Sequence, residues 1–217
     1  MCIRDSVANA WEHNGDDFSV VACCWPPDRV AEMARDGSDV LGDWRTLVEG
    51  DFSSVAVTQL VRFDSESGDR GSAPTVLCRG AHLDHAKVHP RKGGTFAPTV
   101  YASAGEAVAN RDYDDPAYAT PQPPQAFVRV HLDEDDVVDA WYAGRRRFVD
   151  DAVLVPHPDD DDSVFVVAPV FDASTLKSTI VILDGGDLAA GPLCELALPD
   201  HAPFVPWGLH GAWCAAS

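Results

Sequence analysis

The sequence predicts an all-β protein. Three observations carry that expectation. Short apolar or alternating runs recur along the chain. Turn residues separate them at intervals of about ten residues. A single stretch has helical spacing. In chain order, Phe18 to Trp25 is a buried strand stopped by Pro26-Pro27, since proline gives no amide proton to a ladder. Asp28 to about Val40 is the helical stretch, with Asp28 as cap and Val30, Met33 and Ala34 on one face. Val55 to Phe63 alternates and turns at Asp64 to Gly68. Thr99 to Ala102 is a further strand. Residues 104–125, with Pro116, Pro121, Pro123 and Pro124, read as a long surface loop. Ala126 to Leu132 alternates, turns through Asp133 to Asp136, and returns as Val137 to Ala143. Ala152 to Val155, Ser163 to Phe171, Thr179 to Asp184 and Cys194 to Leu198 complete the set. These strands alone leave a sandwich, a barrel and a propeller open.

Composition bounds the function. The 217 residues carry 16 Lys and Arg against 35 Asp and Glu, a formal charge of −19. A nucleic-acid partner is excluded, because phosphate binding needs clustered Lys and Arg, and the one basic run, Arg145-Arg146-Arg147, is flanked by acid. Hydrophobic residues at 46% suffice for a core. No apolar run approaches the roughly 18–20 residues of a spanning helix. The six cysteines (Cys2, Cys23, Cys24, Cys78, Cys194, Cys214) form no C-x-x-C pair and read as reduced thiols. Met1 to Ser6 matches the translated end of a sequencing-library adapter, so residues 1–6 are expected to be non-native and 7–217 to be the protein's own.

Three polar features invite chemistry. Asp159 to Asp162 lacks the glycine and closing glutamate of a calcium loop and reads as a solvated turn. His82-x-x-His85-x-x-x-His89 would make a metal site on a helix, yet Pro90 ends it, and on a strand His82 falls on the other face from His85 and His89. His210 stands between Gly208 and Gly211, which let the backbone come close and aim one imidazole inward. Taken alone it reads as a buried, hydrogen-bonded histidine.

Several segments in register resemble the carotenoid cleavage dioxygenases, a family that includes the retinoid isomerase of pigment epithelium. Val7-Ala8-Asn9-Ala10-Trp11-Glu12 is similar to the segment that follows an iron-ligand histidine there. Val20 to Asp28 is similar to the plant and algal branch. Trp141-Tyr142-Ala143-Gly144 and Arg147 to Pro156 resemble the Trp-Tyr and Gly-Glu-Pro-Val-Phe-Val-Pro block. Ser178 to Asp184 resembles a late strand, and Pro206-Trp207-Gly208-Leu209-His210-Gly211 the closing motif, with three residues inserted between Phe204 and Gly208. The resemblance runs through residues 7–216.

It implies a partial seven-bladed β-propeller, the last three or four blades. It also implies a non-haem Fe(II) dioxygenase that cleaves a C=C bond of a carotenoid or apocarotenoid with O2. The family holds its iron with four histidines on the propeller axis. His210 matches the last of them. The third belongs immediately before Val7 and the first two further upstream, so the chain as it stands is expected to be an inactive C-terminal fragment. Glutamates orient the family's ligand histidines. One sits in a Glu-Phe-Pro-x-Ile-Asn-Pro stretch that matches Asp84-His85-Ala86-Lys87-Val88-His89-Pro90, and another matches Asp151, or Asp150 if the register slips by one. Both are shorter here by one methylene. Peripheral membrane contact in the full-length protein and a cytoplasmic or plastid location are further expectations, as is poor solubility of a part-ring with unpaired strand edges. Two other readings stand beside this one. One is a propeller paralogue that binds apolar ligands without cleaving them. The other is an unrelated all-β metallo-hydrolase built on His82, His85 and His89.

Overall fold

A computed structural model describes residues 7–13, 15, 17–25, 35, 58–65, 73–206, 211, 212 and 214. The expected helix from Asp28 to Val40 and residues 1–6 lie outside the described residues, apart from Arg35. The strands form three antiparallel sheets. The first holds β1 (Val7–Glu12), β2 (Phe18–Cys24), β3 (Gln59–Ser65) and β4 (Thr75–Val76). The second holds β5 (Leu83–Lys87), β6 (Thr99–Ala104), β7 (Ala126–His131) and β8 (Asp136–Tyr142). The third holds β9 (Arg147–Val149), β10 (Val153–Pro156), β11 (Val164–Asp172), β12 (Lys177–Asp184) and β13 (Pro192–Ala197), with β9 and β10 both on β11. Each sheet is an antiparallel meander, the third with β9 added on β11, and such a meander is the pattern of a propeller blade. Residues of β1, β5 and β10 meet at a cleft of about 360 Å³ that Ala8, Lys87 and Val153 help to line.

Alternation explains the packing. Along β11, Val164, Val166, Ala168 and Val170 are buried, while Phe165, Val167 and Pro169 between them are half-buried. Removing such a side chain from water contributes about 1.5–3 kcal/mol. One core lies between the first two sheets, with Val21, Cys23, Leu60, Leu83 and Val100 fully enclosed. A second core joins the second and third sheets through Tyr101, Phe127, Trp141, Val166 and Leu183. Cys78 is buried, which pushes its thiol up to about 12.

The expected strands from Phe18 onward are present, within a few residues at their ends. Four strands fall outside the expected set: β1, which carries only a motif resemblance, β5, whose Asp, His and Lys hide its period, and β4 and β9, which are two and three residues long. The stretch 104–125 is not a mere surface loop. It carries a helical turn, Glu106–Ala109, and a 3₁₀ turn, Pro116–Ala119, that bury Val108 and Tyr118 in the first core. Tyr118 donates its hydroxyl proton to the Cys78 carbonyl at 3.1 Å. Asp159 to Asp162 is an exposed turn, as expected, and it also reaches a neighbouring sheet's loop: Asp161 pairs with Arg91, and Asp162 with Lys92 at 2.8 Å.

Candidate functional site

The two expected orienting aspartates stand on neighbouring sheets. Asp151 precedes β10 and is 5% exposed. Its Oδ2 accepts from Lys87 Nζ on β5 at 2.6 Å and from the Gly211 amide at 2.9 Å. Lys87 Nζ also donates to the Ala152 carbonyl at 2.7 Å. One carboxylate therefore joins the second sheet, the third sheet and the segment that follows His210. A buried carboxylate needs such compensation, because an ion out of water costs several kcal/mol unless paired and hydrogen-bonded. Gly211 permits the approach: a Cβ there would stand 2.7 Å from Val153 Cγ2. His210 itself lies outside the described residues. Asp150 is turned elsewhere, its Oδ1 accepting the Asp151 amide at 2.8 Å. The arrangement thus brings Asp151, rather than Asp150, to the amide beside His210.

Asp84 has a different setting. It pairs with Ser103 across β5 and β6, and a bulge follows between Asp84 and Lys87. His85 sits in that bulge with φ +53°, a conformation strained for a residue with a Cβ. The Asp84 Oδ1 accepts the His85 amide at 2.8 Å and so holds the bulge. Ser103 Oγ donates to the Asp84 carbonyl at 3.2 Å, and His85 Nδ1 lies 3.3 Å from the same hydroxyl. Beside these groups is a cavity of about 270 Å³ lined by His82, Asp84, His85, Ser103, Ala104 and Pro124. The buried Nδ1 of His82 has no hydrogen-bond partner, which costs about 1–3 kcal/mol. Burial holds this imidazole below its ordinary pKa and the Asp84 charge opposes that in part, so it is neutral near pH 7.

The three clustered histidines do not converge on one point. His89 uses both ring nitrogens on the backbone: Nδ1 accepts the Arg91 amide at 3.1 Å and Nε2 donates to the Ser163 carbonyl at 3.3 Å. Among the described residues no group of three or more His, Cys, Asp or Glu side chains is placed to hold a metal ion. The hydrolase reading built on His82, His85 and His89 is thereby corrected. Sequence reasoning also missed Lys87, whose partner lies 64 residues away. Its one signal was its place within the stretch that resembles the glutamate motif.

A family profile described as retinal pigment epithelial membrane protein matches residues 6–215. Apocarotenoid-15,15'-oxygenase of Synechocystis is 26% identical over 211 residues, which make up 95% of this chain and 37% of that protein. The chain therefore spans less than two fifths of this curated relative. Among solved structures, a variant of the Synechocystis apocarotenoid oxygenase superposes with a TM-score of 0.75 at 23% identity, covering 97% of this chain and 39% of that one. The cobalt-substituted form of the same enzyme superposes at 0.70 and 23% identity, covering 93% and 38%. The three sheets are thus blades of the β-propeller that these structures share.

Proposed function

The chain belongs to the retinal pigment epithelial membrane protein family of carotenoid oxygenases, and from that premise we propose that it is the C-terminal part of a non-haem Fe(II) dioxygenase that cleaves one C=C bond of a carotenoid or apocarotenoid. The observation that carries the reading is the Asp151 junction, where a buried carboxylate takes the Gly211 amide at 2.9 Å. A ligand histidine needs its backbone and ring fixed before it can hold a metal in an open geometry. The junction fixes the backbone one residue after His210. The donor chemistry also fits: imidazole suits iron, with a carboxylate in support.

In this reading His210 is the one residue of the chain that would hold the iron, and the iron supplies activation of O2 when bound. The other work falls to the chain's own residues. Asp151 anchors the Gly211 amide. Lys87 balances the Asp151 charge and ties β5 to the start of β10. Val153 and Leu154 give the cleft beside Gly211 an apolar wall. Alone the chain is inactive, with one matched ligand of four. The metal in a cobalt-substituted relative supports a metal-dependent reading. The apolar substrate supports peripheral membrane contact by the parent protein, in a cytoplasm or a plastid. No helix among the described residues is long and apolar enough to cross a membrane.

The test is iron analysis of the complete gene product, joined to chromatography of products from β-carotene and an apocarotenal. Bound iron and two carbonyl products are expected. Absence of iron from the complete protein overturns the dioxygenase reading; polyene binding without iron would instead favour a non-cleaving paralogue.

A further inference from the structure

Lys87 lines the cleft beside Gly211 together with Ala8, Val88, Val153 and Leu154. A buried ion pair is a weak source of stability, because apolar residues of the same volume often do as well. Stability alone therefore gives no reason for an ammonium in these surroundings. What the lysine supplies is geometry. Its Nζ donates to Asp151 Oδ2 at 2.6 Å and to the Ala152 carbonyl at 2.7 Å. Two bonds to consecutive residues fix both the carboxylate and the chain that carries it. We propose that Lys87 is a positioning residue for the metal centre: acting through Asp151 and the Gly211 amide, it sets the backbone placement of His210 and, with it, the affinity for the metal. The inference rests on the dioxygenase reading and adds to it a residue of the second sheet that tunes the same site.

The path from Lys87 to Gly211 has little slack. One oxygen, Asp151 Oδ2, takes both the ammonium and the Gly211 amide, so a shift of the carboxylate is felt at Gly211 directly. The Asp151 side chain is 3% exposed and that of Lys87 24%, so bulk water is a poor substitute for the ammonium. Asp150 offers no replacement, since its Oδ1 takes the Asp151 amide at 2.8 Å. Gly211 is already packed closely on β10, where a Cβ would stand 2.7 Å from Val153 Cγ2. Groups that hold a metal ligand in place without touching the metal are typically worth about 10–100-fold in metal affinity.

The experiment uses the complete gene product, stripped of metal and reloaded with Fe(II) without air or with Co(II). Three quantities are read: metal affinity against a competing chelator, the visible absorption of the cobalt form, and the urea midpoint of the metal-free protein. Lys87→Met is expected to weaken binding of both metals about 10–100-fold and to alter the cobalt spectrum. It also takes the cation from beside a buried carboxylate, so a lower urea midpoint is expected. Lys87→Arg, which keeps a cationic donor, is expected to retain most of the affinity. Asp151→Asn removes the carboxylate charge and keeps an oxygen for the Gly211 amide, and it provides a background in which loss of Lys87 strands no charge. In that background Lys87→Met is expected to leave the urea midpoint nearly unchanged and still to weaken metal binding. Metal affinity and a cobalt spectrum that Lys87→Met leaves unaltered, or equal affinity of Asp151→Asn with and without Lys87, overturns the positioning role while leaving the oxygenase reading intact. Failure of the unaltered protein to bind either metal overturns both.

Discussion

Asp84 and Asp151 match the same kind of residue in the resembling family, each one methylene short, and the fold treats them in opposite ways. Asp151 is buried and its Oδ2 joins three segments, through Lys87 Nζ and the Gly211 amide. Asp84 is half-buried, and its Oδ1 closes on the amide of the next residue. The difference teaches that a lost methylene is offset where the surroundings move in. At Asp151 a cation and a glycine backbone close the gap. At Asp84 the carboxylate is drawn into local bulge geometry, and a cavity opens beside it.

The largest effect expected is at Asp151. Asp151→Ala leaves the Lys87 ammonium and the Gly211 amide without this acceptor, a loss of about 3 kcal/mol for a broken, mostly buried pair, read as a lower midpoint in urea unfolding. Asp84→Ala removes one acceptor from a bulge that water can reach, and about 1 kcal/mol is expected in the same assay. If the two cost the same, the contrast drawn here is broken. The smallest effect is at the rim of the same seam. Asp161→Asn with Asp162→Asn removes two exposed ion pairs to Arg91 and Lys92, and the smallest shift of the three in the urea midpoint is expected. That small loss should vanish in about 1 M salt, whereas the Asp151→Ala loss should persist.

The legible parts of this molecule are those where a side-chain period of two meets a half-buried surface. β11, β12 and the β7–β8 hairpin announce themselves because their apolar residues alternate. β5 is illegible as a strand for a physical reason: Asp84, His85 and Lys87 make polar contacts rather than core packing, which hides its period. The candidate site was legible only as motif positions. Asp84 and Asp151 could be named, but nothing local in the sequence says that Lys87 pairs with one of them, because that contact is set by how two sheets meet. The role of the flanking glycine at Gly211 was foreseen from the backbone approach it permits, while His210 lies outside the described residues.

The meander described above also sets an order in time. Each strand of the three sheets pairs with a strand adjacent or next but one in the chain, so the hairpins close over short loops. The Lys87–Asp151 contact spans 64 residues and the Gly211–Asp151 contact 60. Relative to a hairpin turn of about four residues, that is some four doublings of loop length, or about 2.5 kcal/mol more chain entropy to overcome. The sheets therefore assemble first and locally, one after another as the chain is synthesised. The junction at Gly211 then forms last, so a nascent chain acquires its blades before the contact that ties the second sheet, the third sheet and the C-terminal segment together.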